Sequence, residues 1–327
     1  MQFLKFIITL AITIGLTWLL LTPNPLGTES VPPMGNVINP FTGFWKNAVP
    51  IRIDSDKLER LSGLSYPATV VFDERMVPHI FAEDARDAMY LQGYVTAQNR
   101  LWQMDMTSRY TAGRLAEVLG PNMVDVDKLQ RRRGFTKAAQ ATVENWKTCN
   151  PEYSYLEAFT DGVNAYIADL KPADYPIEFK LLNYAPEPWS PYKSALVAKS
   201  MDQSLSMRSD DVFATNALKA FGASTFAFLY PERNPKTIPV IPAGTEWGKP
   251  DTAAFDIPAD LPQTYEGFIP YEPMPNPPAH LGSNNWAVAG ALTADGRAIV
   301  ANDMHLGLRV PNLWFRARLR YIEPGAP

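Results

Sequence analysis

The residues with the most chemical potential are a Gly282–Ser283 pair that follows a proline-rich stretch and precedes a strand-like run. Scission of that bond would make Ser283 an N-terminal residue at one end of a strand. Such a serine carries its own general base. An α-amine has an unperturbed pKa of roughly 7.7–8.0, close enough to neutrality to accept the hydroxyl proton during attack on a carbonyl. Gly282 has no Cβ and allows the backbone geometry that an intramolecular attack needs. Without scission, Gly-Ser is an ordinary loop dipeptide. The three histidines (His79, His280 and His305) are far apart, and neither HExxH nor GxSxG occurs, so the metalloprotease and α/β-hydrolase patterns are absent. Cys149 is the only cysteine, which excludes an intrachain disulfide and a Cys-rich zinc site.

Whatever Ser283 does depends on the elements around it. Residues 285–289 and 298–301 alternate as strands about Asp295-Gly296, which predicts a hairpin, and residues 313–322 read as a third strand or a short helix. Upstream, residues 68–72 and 79–81 form a predicted strand pair. Asp84 is placed to cap a helix over residues 84–108, with Ala88, Leu91, Val95, Trp102 and Met106 near one face. Further helices are predicted over 124–146, over 152–170, from Ser190-Pro191 towards residue 208, and on to 221. The window 231–280 holds twelve of the thirty prolines and reads as a surface spacer. Arg114 and Glu117 read as a structural pair, and His79 as a turn residue.

The chain has 327 residues, 46% hydrophobic and 20% charged, with a net charge of −4. With no Lys/Arg block, nucleic acid is excluded as a partner. At the N-terminus, Lys5 precedes an uncharged run from Phe6 to Leu21, followed by Thr22-Pro23-Asn24-Pro25 with no Ala-x-Ala-like site. Its length lies between a signal-peptide core and the roughly 17–25 residues of a spanning helix. A signal peptide and an uncleaved anchor are both open. Either places the body outside the cytoplasm, periplasmic or membrane-anchored, with Lys5 on the cytoplasmic side.

Five motifs then fall in register. Val77-Pro78-His79-Ile80, the run from Gly93 through Gln98, Arg100 and Gln103 to Met104, and Gly113-Arg114-Leu115-Ala116-Glu117 resemble, in that order, the small subunit of the penicillin and cephalosporin acylases. Ser283-Asn284-Asn285-Trp286-Ala287-Val288, continued by Asn302-Asp303-Met304-His305-Leu306, is similar to the start of that family's catalytic chain. Met76 stands where the family usually has glycine, Met304 where it has proline, and Asn99 where it often has aspartate.

The resemblance implies an α+β protein of the N-terminal-nucleophile hydrolase class, with a four-layer αββα fold. This chain would supply the mostly helical small-subunit part and the first catalytic strands. The implied organisation is a signal peptide or anchor over 1–23, a leader or stalk over 24–65, a small-subunit region over 66–230, a spacer over 231–282 that is removed on maturation, and the start of the catalytic chain at 283–327. The implied reaction is hydrolysis of a linear amide through an acyl-enzyme on Ser283, with small-molecule N-acyl compounds as substrates and the two cleaved chains as each other's partner. His305 would orient Ser283 and assist self-cleavage. Met201, Trp314 and Phe315 are candidates for the acyl pocket, and Asp210 or Asp211 for a structural calcium. No catalytic cofactor is implied. The family's side-chain oxyanion donor and most calcium ligands fall beyond Pro327, so the chain is expected to be the N-terminal part of a precursor and inactive alone. The alternative expectation is a membrane-anchored binding or structural module that keeps the fold without catalysis.

Overall fold

A computed structural model describes residues 2–22, 33–48, 61–206, 211–231, 236, 244–246 and 282–322. Its elements are α1 (Gln2–Leu21), α2 (Met34–Ile38), β1 (Thr69–Phe72), β2 (Pro78–Phe81), α3 (Ala85–Ala112), α4 (Ala116–Leu119), α5 (Val124–Arg132), α6 (Phe135–Cys149), α7 (Tyr153–Asp169), α8 (Ile177–Leu181), α9 (Pro191–Ser206), α10 (Asp211–Leu229), β3 (Gly282–Val288), β4 (Ile299–His305) and β5 (Arg318–Arg320). They fall into two compact units, Met1–Leu205 with Leu308–Pro327, and Ser206–Gly307.

The first unit is built around α3. Asp84 caps it, its carboxylate accepting from the Asp87 N–H at 2.7 Å, and Gly113 ends it in the left-handed region at φ 66°. One stretch of α3 packs Ala97 and Leu101 against Val163, Phe179 and Trp189; another packs Tyr90 and Leu91 against Ile80 and Ala158. The α3–α7 contact is close enough to require glycine on both helices. A Cβ on Gly93 would collide with the Phe159 carbonyl, and one on Gly162 with the Tyr90 carbonyl. Buried Asp87 adds a polar tether, accepting from the backbone N–H groups of Ser65 and Tyr66 at 3.0 and 2.9 Å. Asp127 caps α4 in the same way, accepting from Leu115 and Ala116 at 2.8 Å each.

Four expectations are settled, two of them by correction. The single helix over 124–146 is two, because Gly134 sits at φ 75° between α5 and α6. Residues 313–322 hold a strand rather than a helix: β5 pairs parallel with β2 (Ile80 opposite Leu319). The helix expected to extend to 221 does so, and after non-helical Gly222 a second helical stretch runs to Leu229. The β3–β4 ladder closes at Val288 opposite Ile299, so the connection is longer than a two-residue Asp-Gly turn. It holds a 3₁₀ turn at Gly290–Leu292, and the Thr293 hydroxyl donates to Gly290 and Arg297 carbonyls at 2.9 and 2.8 Å.

The β1–β2 turn explains one departure from the family pattern. Met76 occupies φ 60°, where a side chain crowds the backbone and glycine does not. The Met76→Gly protein is expected to be more stable by about 1 kcal/mol, the order of a left-handed penalty for one residue, as read by urea denaturation.

A charged network ties α3, α4 and α9 together. The Arg109 side chain is 3% exposed; it meets Asp105 at 2.8 Å, Glu117 at 2.9 Å and Glu187 at 2.8 Å. Arg114 bridges Glu117 and Glu187 at 2.7 and 2.9 Å, and Lys193 pairs with Glu187 at 3.1 Å. Burial alone would raise the Glu187 pKa, but hydrogen bonds from Arg114 and Lys193 and the nearby Arg109 charge outweigh it and hold the carboxyl down at about 2. Its folded value is therefore below the ordinary glutamate value of roughly 4.3. The ionised carboxylate stabilises the fold at neutral pH, and that contribution fades as pH falls from about 5 towards 2. Glu187→Gln is expected to flatten that part of the stability–pH curve. The effect is reduced by solvent because the side chain is 35% exposed.

Candidate active site

Gly282 and Ser283 open β3, so the candidate pair sits where an extended strand begins. The ladder sets Gly282 opposite His305, Ser283 opposite Met304 and Asn284 opposite Asp303. Directly opposed residues share a face, and the face alternates along each strand. Ser283 and Met304 therefore project to one side of the ribbon, and His305 and Asp303 to the other. On that second side His305 Nε2 lies 2.7 Å from Asp303 Oδ2. His305 stands across from Gly282 in the ladder, on the face away from the Ser283 hydroxyl. Asp303 as partner to His305 was missed by the sequence reading, although the signal was present: residues two apart on a strand share a face.

Gly282 lies in extended backbone with open space where a Cβ would be. The uncleaved hairpin thus accommodates a side chain there, and any need for glycine belongs to the attack itself. Most of the ribbon is exposed on both faces, including Trp286 at 53% and Met304 at 42%.

The other candidate residues lie apart from the ribbon in the chain. Met201 is half-buried on α9, the helix that packs Ala195 and Leu196 against α3 and α6. Trp314 is exposed, with its backbone N–H donating to Asn312 Oδ1 at 2.8 Å, and Phe315 lies under the Arg100 guanidinium, 5.6 Å from the ring centroid. A cavity of about 320 Å³ is bordered by Lys46, Gln98, Arg100, Gln103, Tyr166 and Asp174, and by none of those three. Asp211 begins α10, while Asp210, most of the 231–282 spacer and His280 lie outside the described residues. Calcium takes six to eight oxygen ligands. Among the described residues no group of three or more His, Cys, Asp or Glu side chains could hold a metal, so Asp211 does not compose a site with them.

The Penicillin amidase family model matches residues 67–323. A penicillin acylase 2 proenzyme from a Pseudomonas species is 33% identical over 259 residues, covering 79% of this chain and 33% of that protein. The acyl-homoserine lactone acylase QuiP of Pseudomonas aeruginosa is 27% identical over 271 residues, covering 80% of this chain and 30% of its own length. A thermostable penicillin G acylase from Alcaligenes faecalis, solved in a tetragonal form, is 27% identical with a TM-score of 0.47, over 55% of this chain and 98% of that one. The chain belongs to the penicillin amidase family. It spans about a third of the length of these two curated relatives.

Proposed function

We propose that this chain is the leading part of an exported, self-cleaving amidohydrolase whose nucleophile is Ser283. The observation that carries the reading is the placement of Gly282–Ser283 at the exposed start of β3, opposite His305, in a chain of this family. In maturation the Ser283 hydroxyl attacks the Gly282 carbonyl carbon, the Ser283 nitrogen leaves as the amine, and water hydrolyses the resulting ester. Gly282 is left with a carboxylate and Ser283 with a free α-amine. His305, which pairs with Asp303 and stands opposite Gly282 in the ladder, is assigned the proton handed to the departing nitrogen.

In turnover the α-amine accepts the Ser283 hydroxyl proton as the oxygen attacks the carbonyl of a linear N-acyl amide. The amine product departs, and water releases the carboxylic acid. Substrates of the kinds named for the relatives, penicillins and acyl-homoserine lactones, fit this class. We assign residues 66–230 to the small chain, 231–282 to a removable spacer and the segment from 283 to the catalytic chain. Met201, Trp314 and Phe315 are proposed for the acyl side of the pocket, and Asp210 or Asp211 for a structural calcium completed by ligands from elsewhere. The test uses the product of the complete gene, quenched in acid during turnover of an N-acyl amide. The acyl mass is expected on the peptide that begins with Ser283; its absence there during measurable turnover would refute the assignment.

A further inference from the structure

Residues 33–48, the next described segment after α1, are packed on the body. α1 is 20 residues long with none buried, and at about 1.5 Å per residue it matches the roughly 30 Å hydrocarbon layer of a bilayer. α2 packs against the last turn of α1: a Cβ on Gly35 would lie 3.1 Å from the Leu20 carbonyl oxygen and 3.2 Å from the Leu21 side chain. From there to Ala48 the segment is fastened to the residues around α8. Asn36 donates to Asn183 Oδ1 at 3.0 Å, and Asn47 to the Tyr175 carbonyl at 3.1 Å. Buried Lys180 donates to Gly43 O at 3.1 Å, Asn47 Oδ1 at 2.6 Å and Ala173 O at 2.9 Å.

What this fastened segment turns outward includes four large apolar side chains, beside Asn36, Thr42 and Lys46. Phe41 is 80% exposed, Trp45 52%, Ile38 43% and Met34 41%. The Trp45 indole N–H is satisfied within the segment, donating to Ile38 O at 3.0 Å. Together, the contact with the end of α1 and this outward face place a small apolar platform where a helix leaving a bilayer would meet the headgroups.

We propose that α1 is retained as a membrane anchor and that residues 33–48 form a collar seated in the headgroup layer, with Phe41 and Trp45 as its interfacial anchors. Tryptophan is favoured at that depth, and Phe41 adds apolar area beside Trp45. A bilayer is preferred over a protein partner because the platform touches the last turn of α1, the longer and more apolar of the two described helices long and apolar enough to cross a membrane. The collar also fixes how the body stands on the membrane, because it is bonded to the body through Lys180 and Asn183 rather than joined by a loose stalk. The proposal rests on the export reading above and not on the amidase reading, and its test reads no activity.

The test uses the full-length protein in phosphatidylethanolamine–phosphatidylglycerol vesicles, in a Cys149→Ser background. A single cysteine at Phe41→Cys, with Trp45→Cys as the second variant, carries an environment-sensitive fluorophore; Lys128→Cys, at a 59% exposed site on α5, is the control. The collar labels are expected to be blue-shifted and to lose most of their emission to nitroxide-labelled lipid, while the control keeps a water-like spectrum. The polypeptide that carries residues 33–48, cleaved or not, is expected to retain residues 2–21 by intact mass. Collar labels as wet and unquenched as the control would overturn the proposal. So would a blue shift that lipid quencher leaves intact, which indicates a protein partner, or a polypeptide that begins downstream of Leu21.

Discussion

Ser283→Ala in the complete gene product is expected to yield one uncut chain with no detectable amide hydrolysis, where the unaltered protein gives two. The substitution removes a single oxygen, the one proposed to attack the Gly282 carbonyl and later the substrate. Packing cannot account for such a result, because β3 is exposed along nearly all its length at this position and the methyl group that remains meets solvent. A Ser283→Cys variant keeps a nucleophile and is expected to retain slow cleavage. Gly282→Ala separates folding from scission: the strand has room for the methyl group, so any loss of cleavage reports on the attack geometry. Denaturing electrophoresis and an N-acyl amide assay read all three. Two chains from Ser283→Ala would remove the serine from maturation.

Arg109→Ala is expected to give the largest loss of stability among substitutions outside the candidate site, about 3–5 kcal/mol, the range for removing one partner of a buried ion pair. Arg109 and Asp105 have side chains only 3% and 5% exposed, so the deletion leaves the Asp105 carboxylate in a low-dielectric setting. Among the described residues, the side-chain donor left to it would be the Tyr184 hydroxyl at 2.9 Å. Burial and that neighbouring carboxylate both push the Tyr184 phenol up, so it stays a neutral donor and cannot replace the lost positive charge. Arg114→Ala should cost much less, because Arg114 is 34% exposed and water can take over the carboxylates it leaves. Guanidinium denaturation of the full chain gives both values. Equal effects would show that burial does not control the network.

Much of this architecture was legible in local pattern. The cap at Asp84, the stripe along α3, and the β1–β2 and β3–β4 pairs depend on residues close in sequence, and periodicity reports such contacts directly. What escaped was non-local or conformational. β5 reads as an isolated short strand until it meets β2, more than two hundred residues earlier in the chain. Gly134 resembles a tolerated helical glycine until its left-handed φ divides α5 from α6. Arg114 and Glu187 are 73 residues apart, so only the pairing with Glu117 was visible in advance. At the candidate site, the order of Ser283 and His305 was readable, but their placement on opposite faces follows from a register that spacing does not reveal.

The most direct test of the account is the N-terminal sequence of the larger chain in the mature protein. Edman degradation or intact-mass analysis is predicted to find a chain that begins Ser-Asn-Asn-Trp, with the new amine at residue 283. A catalytically competent protein in which the peptide bond between residues 282 and 283 is unbroken would contradict it.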